Sequence, residues 1–349
     1  MPTSWLNKPI HSLNLASAEQ AAQRQEQLTK PPGSLGRLEE LAITLATLQG
    51  NENPSIENPN IVVFAADHGI ANEGVSAFPQ VVTGEMIRNF SRGGAAISVL
   101  ASALQAPLKV INLGTAHSIE DLPSVRHLNI APGSANFAKE SAMTNETLAQ
   151  ALQAGKEAID NMTTVDLFIA GEMGIANTSS ATALAAVLLN EDATLIAGPG
   201  TGLDTEGVQH KATVINAAIR KHGLSTTSQP LEVLKTLGGL EVAAITGAYI
   251  RCAQKGIPVL VDGFISSVAA LVASRLQADS LAWMIFSHQS AEPGHSRILQ
   301  AMDAKPLLNL GMRLGEGSGA AVALPLLQSA CTLHNGMATF AEAEVSASN

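Results

Sequence analysis

The sequence predicts a doubly wound, mostly parallel α/β sheet flanked by helices. Short, uniformly apolar runs alternate with longer amphipathic ones, the pattern of strands buried on both faces by crossover helices. Five of the runs end directly in Gly, Asp, Glu, His or Ser, as strands do where such a sheet gathers its ligand loops along one edge. A length of 349 residues at 46% hydrophobic content suffices for a large core with a smaller appendage.

Taken in order, Ser17 is read as the N-cap of a helix over 18–28. The segment Thr29-Lys30-Pro31-Pro32-Gly33-Ser34 is a turn, and a second helical pattern covers 35–48. A polar Asn/Pro linker over 51–60 follows. Strands are predicted over 61–65, 108–113, 165–170, 194–197, 258–261 and 282–286, with a weaker one at 125–130. Helices are predicted over 83–103, 146–161, 179–189, 205–221, 241–254, 265–276 and 318–327. The most apolar stretch, 257–273, is interrupted by Asp262, Gly263, Ser266 and Ser267. It reads as a buried strand followed by a helix, not as a membrane span.

Composition narrows the function classes. Net charge is −10 and aromatic residues are 3% of the chain, so neither the basic patch nor the stacking surface of a nucleic-acid binder is expected. Charged residues are only 14%, a surface suited to partial burial in a homo-oligomer. Cys252 and Cys331 read as two buried thiols. Met1-Pro2-Thr3-Ser4-Trp5 lacks the basic start of a secretory signal, so a soluble cytoplasmic protein without membrane association is expected.

Several segments carry candidate chemistry. Gly198-Pro199-Gly200-Thr201-Gly202 follows an apolar run and precedes a helix opening at Asp204. It is either a phosphate cradle or a plain tight turn. Lys211, about two helical turns further on, is either a charge for that cradle or a solvated lysine. Asn177-Thr178-Ser179-Ser180 reads first as helix caps and second as phosphate or ribose donors. Asp67 with His68, and His288 with Glu292 and His295, lack metalloenzyme spacing; neither a metal nor another cofactor is expected. Leu314-Gly315-Glu316-Gly317-Ser318-Gly319 places a lone carboxylate among glycines before an apolar helix. It reads equally as a general base against an apolar wall and as a glutamate facing its own helix dipole.

Together these segments carry a resemblance. Thr29 to Glu39 (TKPPGSLGRLE), Ala65-Ala66-Asp67-His68-Gly69, Arg92-Gly93-Gly94-Ala95-Ala96-Ile97, Gly171-Glu172-Met173-Gly174-Ile175, Gly200-Thr201-Gly202-Leu203-Asp204, Ser290-Ala291-Glu292-Pro293-Gly294-His295 and Gly315-Glu316-Gly317-Ser318-Gly319-Ala320 resemble the signatures of nicotinate-nucleotide–dimethylbenzimidazole phosphoribosyltransferases, in family order. The resemblance implies phosphoribosyl transfer from nicotinate mononucleotide to 5,6-dimethylbenzimidazole in cobalamin biosynthesis. It implies Glu316 as general base and Glu172 as a second carboxylate near the reacting ribose. Gly174, Asn177, Thr178, Gly200, Thr201, Gly202 and Lys211 would hold phosphate and ribose, and Ser76, Phe78 and Leu314 would wall the base. Ala176 stands where many relatives carry glycine, and Pro199 where an arginine is frequent. The implied architecture is a Rossmann-like sheet domain over 60–305, a small helical domain from 1–59 plus 306–349, and a homodimer.

Two rivals stand beside that reading. A non-catalytic nucleotide sensor would use the glycine loop and leave Glu316 without a task. A nicotinamide-dependent oxidoreductase is disfavoured because the loop lacks the G-x-G-x-x-G spacing and no strand-end acid lies about 20 residues beyond it.

Overall fold

The computed structural model describes residues 3–346. Helices α1 (Leu15–Gln27) and α2 (Arg37–Gln49) precede strand β1 (Pro59–Ala66). Next come α3 (Val81–Arg92), α4 (Ala96–Ala103), β2 (Leu108–Gly114), β3 (Val125–His127), α5 (Asn145–Asp160) and β4 (Leu167–Met173). A long crossover carries α6 (Asn177–Leu189), α7 (Thr205–His222), α8 (Pro230–Leu237) and α9 (Leu240–Lys255) to β5 (Val259–Val261). Helix α10 (Phe264–Leu276), β6 (Met284–Phe286), α11 (His295–Ala301) and α12 (Ser318–Gly336) follow.

The six strands form one parallel sheet in the order β3-β2-β1-β4-β5-β6. Strand order reverses between β1 and β4, which makes their carboxyl ends the switch point of a doubly wound fold. Burial follows the two-residue period of a strand. Val62, Phe64, Phe168, Ala170, Val259 and Val261 face a core shared with α5, α6 and α8 to α10. Ile61, Val63, Ala65, Leu167, Ile169 and Leu260 face the opposite core with α2 to α4 and α12. Helices α1 and α12 both pack on α2, so segments from both ends of the chain cover that second face. Among the described residues no helix is long and apolar enough to cross a membrane.

The expected elements hold with four corrections. Residues 194–197 are no strand: Ala193–Leu195 is a short 3-10 turn between α6 and α7. The single helix expected over 83–103 is two, because Gly93 adopts φ 83° and closes α3 by receiving the chain in a left-handed cap. The N-cap of α1 is Asn14, whose side chain accepts the Ser17 N–H at 3.0 Å. Helix α12 continues past Pro325 to Gly336. The short helices α8 and α11 lie outside the expected set.

Candidate functional site

Along the carboxyl ends of β4, β5 and β6 the structure encloses a cavity of about 460 Å³. Glu172 and Gly174 reach it from β4 and its turn, Asp262 and Gly263 from the end of β5, and His288 and Ser290 from the end of β6. The end of β1 supports the site from behind. Asp67 accepts the Ala116 N–H at 2.8 Å, and His68 Nε2 meets Glu241 Oε1 at 2.7 Å with neither side chain exposed.

Glu316 enters from the turn before α12. Gly315, Glu316 and Gly317 all have positive φ, at 87°, 66° and 85°. Glycine takes such angles freely, whereas in glutamate they carry strain. The turn is held by a close approach: a Cβ on Gly171 of β4 would overlap the Glu316 carbonyl. The carboxylate does not face its own helix. Its Oε2 accepts the Ile97 N–H, in the first turn of α4, at 3.4 Å. Burial pushes the Glu316 carboxyl above the usual range, the Ile97 N–H opposes that, and the Asp262 charge adds to it. The result is a better proton acceptor than an exposed glutamate.

Glu172 is buried, with Oε2 accepting from the Asn177 amide and Oε1 lying against Gly315. Its carboxyl is held well above the usual range, chiefly by burial and then by Asp262 and Glu241. Asp262 in turn accepts the Gly317 N–H at 3.2 Å and the Ala320 N–H at 2.8 Å, closing the open end of α12. A carboxyl raised on folding binds its proton more tightly in the native state, so its cost to stability is absent at acid pH and grows as pH rises toward the native value. Glu172→Gln is therefore expected to melt at a higher temperature than wild type at pH 8. The gain should close by about pH 4, where glutamate is largely protonated in both states; paired calorimetric scans at the two pH values check this.

The glycine loop flanks the other side of the cavity. Gly200 (φ 54°) and Thr201 line it, together with Gly174, Asn177 and Thr178. Neither Asn177 nor Thr178 is a cap. The N-cap position of α6 is Ala176, which keeps a glycine-like φ of 74° and makes no side-chain cap. Lys211 is fully buried behind the loop and outside the cavity lining, donating to Thr178 Oγ1 at 2.7 Å and to the Gly198 carbonyl at 3.3 Å. Burial lowers its pKa to about 8, against the pull of Glu292. Gly202 lies outside the lining, and Ser76 touches the site through Thr201 Oγ1 at 3.4 Å.

Phe78 and Leu314 line the cavity. Val82 and Met86 of α3 extend the same wall. Val82 and Met86, four residues apart, share one face of α3, and Phe78 joins them from the bend before the helix. Arg313, Ser290 and Glu292 also line the cavity, and none of the three carries a substrate-binding role in the sequence reading. His295 is no ligand: Nδ1 accepts the Ser290 N–H at 2.8 Å and Nε2 lies 2.9 Å from Ser267 Oγ. Burial lowers its pKa to about 3, so it is a neutral brace for the Ser290 loop.

Fold and cavity together place the chain among the doubly wound α/β proteins that take a small ligand beside the switch point. Residues 10–345 match the family model described as Phosphoribosyltransferase, and the chain belongs to that family. It is 57% identical over 347 residues to the nicotinate-nucleotide–dimethylbenzimidazole phosphoribosyltransferase of Pseudomonas putida KT2440, covering 99% of both chains. It is 59% identical to the relative of the same name from Xanthomonas euvesicatoria, again across 99% of both chains. The crystal structure of the phosphoribosyltransferase of this name from Thermus thermophilus superposes with a TM-score of 0.90 at 41% identity, covering 95% of this chain and 99% of that one.

Proposed function

We infer that the chain transfers the phosphoribosyl group of nicotinate mononucleotide to 5,6-dimethylbenzimidazole, releasing nicotinate and forming α-ribazole 5′-phosphate. The single observation that carries the mechanism is the seat of Glu316. Its carboxylate is held by a left-handed turn in a cavity also lined by the apolar side chains of Phe78, Val82, Met86 and Leu314.

The chemistry needs little more. Nicotinate leaves C1′ as a ring whose positive charge is neutralised by the electrons of the breaking bond, so no acid is required. The incoming benzimidazole nitrogen forms the new bond to C1′ from the opposite face, and its other ring nitrogen gives up a proton. Glu316 accepts that proton. Glu172, whose carboxyl is pushed toward the neutral form chiefly by burial, is suited to hydrogen-bond a ribose hydroxyl beside the electron-poor C1′. The Gly174 turn, Asn177, Thr178, Gly200 and Thr201 offer the phosphate and ribose donors, with Gly202 completing their loop and Lys211 as a charge immediately behind them. Ser76, Phe78 and Leu314 border the base.

The test is incubation of purified protein with both substrates, read by mass spectrometry. Equimolar nicotinate and α-ribazole phosphate are expected. Binding of nicotinate mononucleotide without any product would instead favour a nucleotide sensor. We propose further that the protein works as a cytoplasmic homodimer, in keeping with a charged-residue content of only 14%; light scattering after gel filtration gives the mass directly.

A further inference from the structure

Glu292 is a buried carboxylate that the mechanism leaves unused. It lines the cavity and is 5% exposed. Its Oε1 accepts the Gly200 N–H at 3.2 Å. Oε2 is buried, has no hydrogen-bond partner among the described residues, and lies so close to Gly198 that a Cβ there would overlap it. The charged groups facing it are Lys211 from α7 and Arg313 from the segment before α12. Arg313 is itself tied to the Gly200 carbonyl at 2.8 Å. His295 on α11, three residues along, is neutral. Thus the loop that would receive a phosphate already holds a carboxylate, drawing on the same N–H and the same cation.

An ionised carboxylate and a phosphate cannot share these donors without strong repulsion in a site shielded from water. Either the side chain leaves or it becomes neutral. Departure is opposed by packing against Gly198 and by the bond from the Gly200 N–H. Neutralisation needs one proton, removes the charge that would repel a phosphate at this loop, and leaves the side chain packed against Gly198. Burial already favours the neutral form, with Lys211, the Gly200 N–H and Arg313 opposing it.

We propose that Glu292 is a proton-gated phosphate-binding residue: it tethers the glycine loop as a carboxylate in the empty site and takes one proton from solvent when the 5′-phosphate enters. The proposal rests on the cavity being the site of nicotinate mononucleotide, and it adds a pH dependence to that substrate alone. Uptake of one proton weakens nucleotide binding tenfold for each pH unit between the Glu292 titration in the free and bound states. Lys211, with its pKa near 8, contributes its own dependence at the alkaline end.

The experiment compares wild type with Glu292→Gln, whose amide can still accept from Gly200 and carries no charge. Titration calorimetry with nicotinate mononucleotide at pH 7, in two buffers of different ionisation enthalpy, counts protons. Wild type is expected to take up close to one more proton than the variant. The affinity advantage of the variant is expected to widen from pH 6 to pH 8, while the KM for the base stays unchanged. Equal proton counts, or parallel pH profiles with the variant weaker throughout, overturn the proposal. If the variant does not fold, the wild-type count alone decides, because zero uptake at pH 7 overturns it equally. Failure of wild type to bind the nucleotide at all would overturn the functional reading instead.

Discussion

Glu316→Gln is expected to lower kcat by about 10²–10⁴-fold, the usual contribution of a positioned base. The substitution keeps the shape of the side chain and the oxygen that accepts the Ile97 N–H. Only the capacity to take a proton is lost. KM for either substrate should therefore change by no more than a few-fold, and thermal stability should not fall, because a buried carboxyl already raised above its normal range is no stabilising charge. The pH profile gives a second readout. In wild type, kcat/KM should decline below the raised Glu316 value with unit slope, since the base must be ionised to act. The variant should lack that acid limb. A stopped assay of nicotinate release across pH 5 to 9 measures both, and a variant working within about threefold of wild type removes the assignment.

Gly171→Ala is expected to impair catalysis without touching a reacting group. The added methyl would overlap the Glu316 carbonyl and press on the Gly317 nitrogen. Strand β4 cannot yield, because Gly171 is paired with Val63 at the centre of the sheet. The turn carrying Glu316 must move instead. Displacement of a base by about 1 Å costs on the order of 10²-fold in rate, and crowding of this kind costs roughly 1–3 kcal/mol of stability. Kinetics and chemical denaturation of the same preparation separate the two effects. In the double variant Gly171→Ala with Glu316→Gln, the rate should fall little below that of Glu316→Gln alone, because the methyl acts through a base already disabled.

How much is legible in the sequence depends on how local the cause is. β1 can be read from residues 61–65 because every side chain there is apolar and the strand is buried on both faces. Residues 194–197 have similar composition, yet they sit between α6 and α7, away from the sheet. A short apolar run carries no information about whether a neighbouring strand is available. The break between α3 and α4 turns on one backbone angle at Gly93, while the apolar spacing continues across it.

The site divides in the same way. Glu316 announces itself by its flanking glycines, though whether it faces its own helix is undecidable until α4 supplies the N–H. Glu292, Asp262 and Arg313 draw their roles from Gly200, Lys211, Ala320 and Gly317. Those partners stand far along the chain, and no local pattern pairs them. Ala176 shows the converse: where the resemblance expects glycine, an alanine adopts the left-handed φ of 74°.

The hydrogen bond from Ile97 to Glu316 joins positions separated by 219 residues, and this has a kinetic consequence. Contacts of such separation close large loops and form late in folding. During refolding the helical signal and the burial of β1 should return before α12 docks on β4 and seats the carboxylate. Competence to turn over substrate would then lag behind recovery of secondary structure, making catalysis itself a clock for the last stage of assembly.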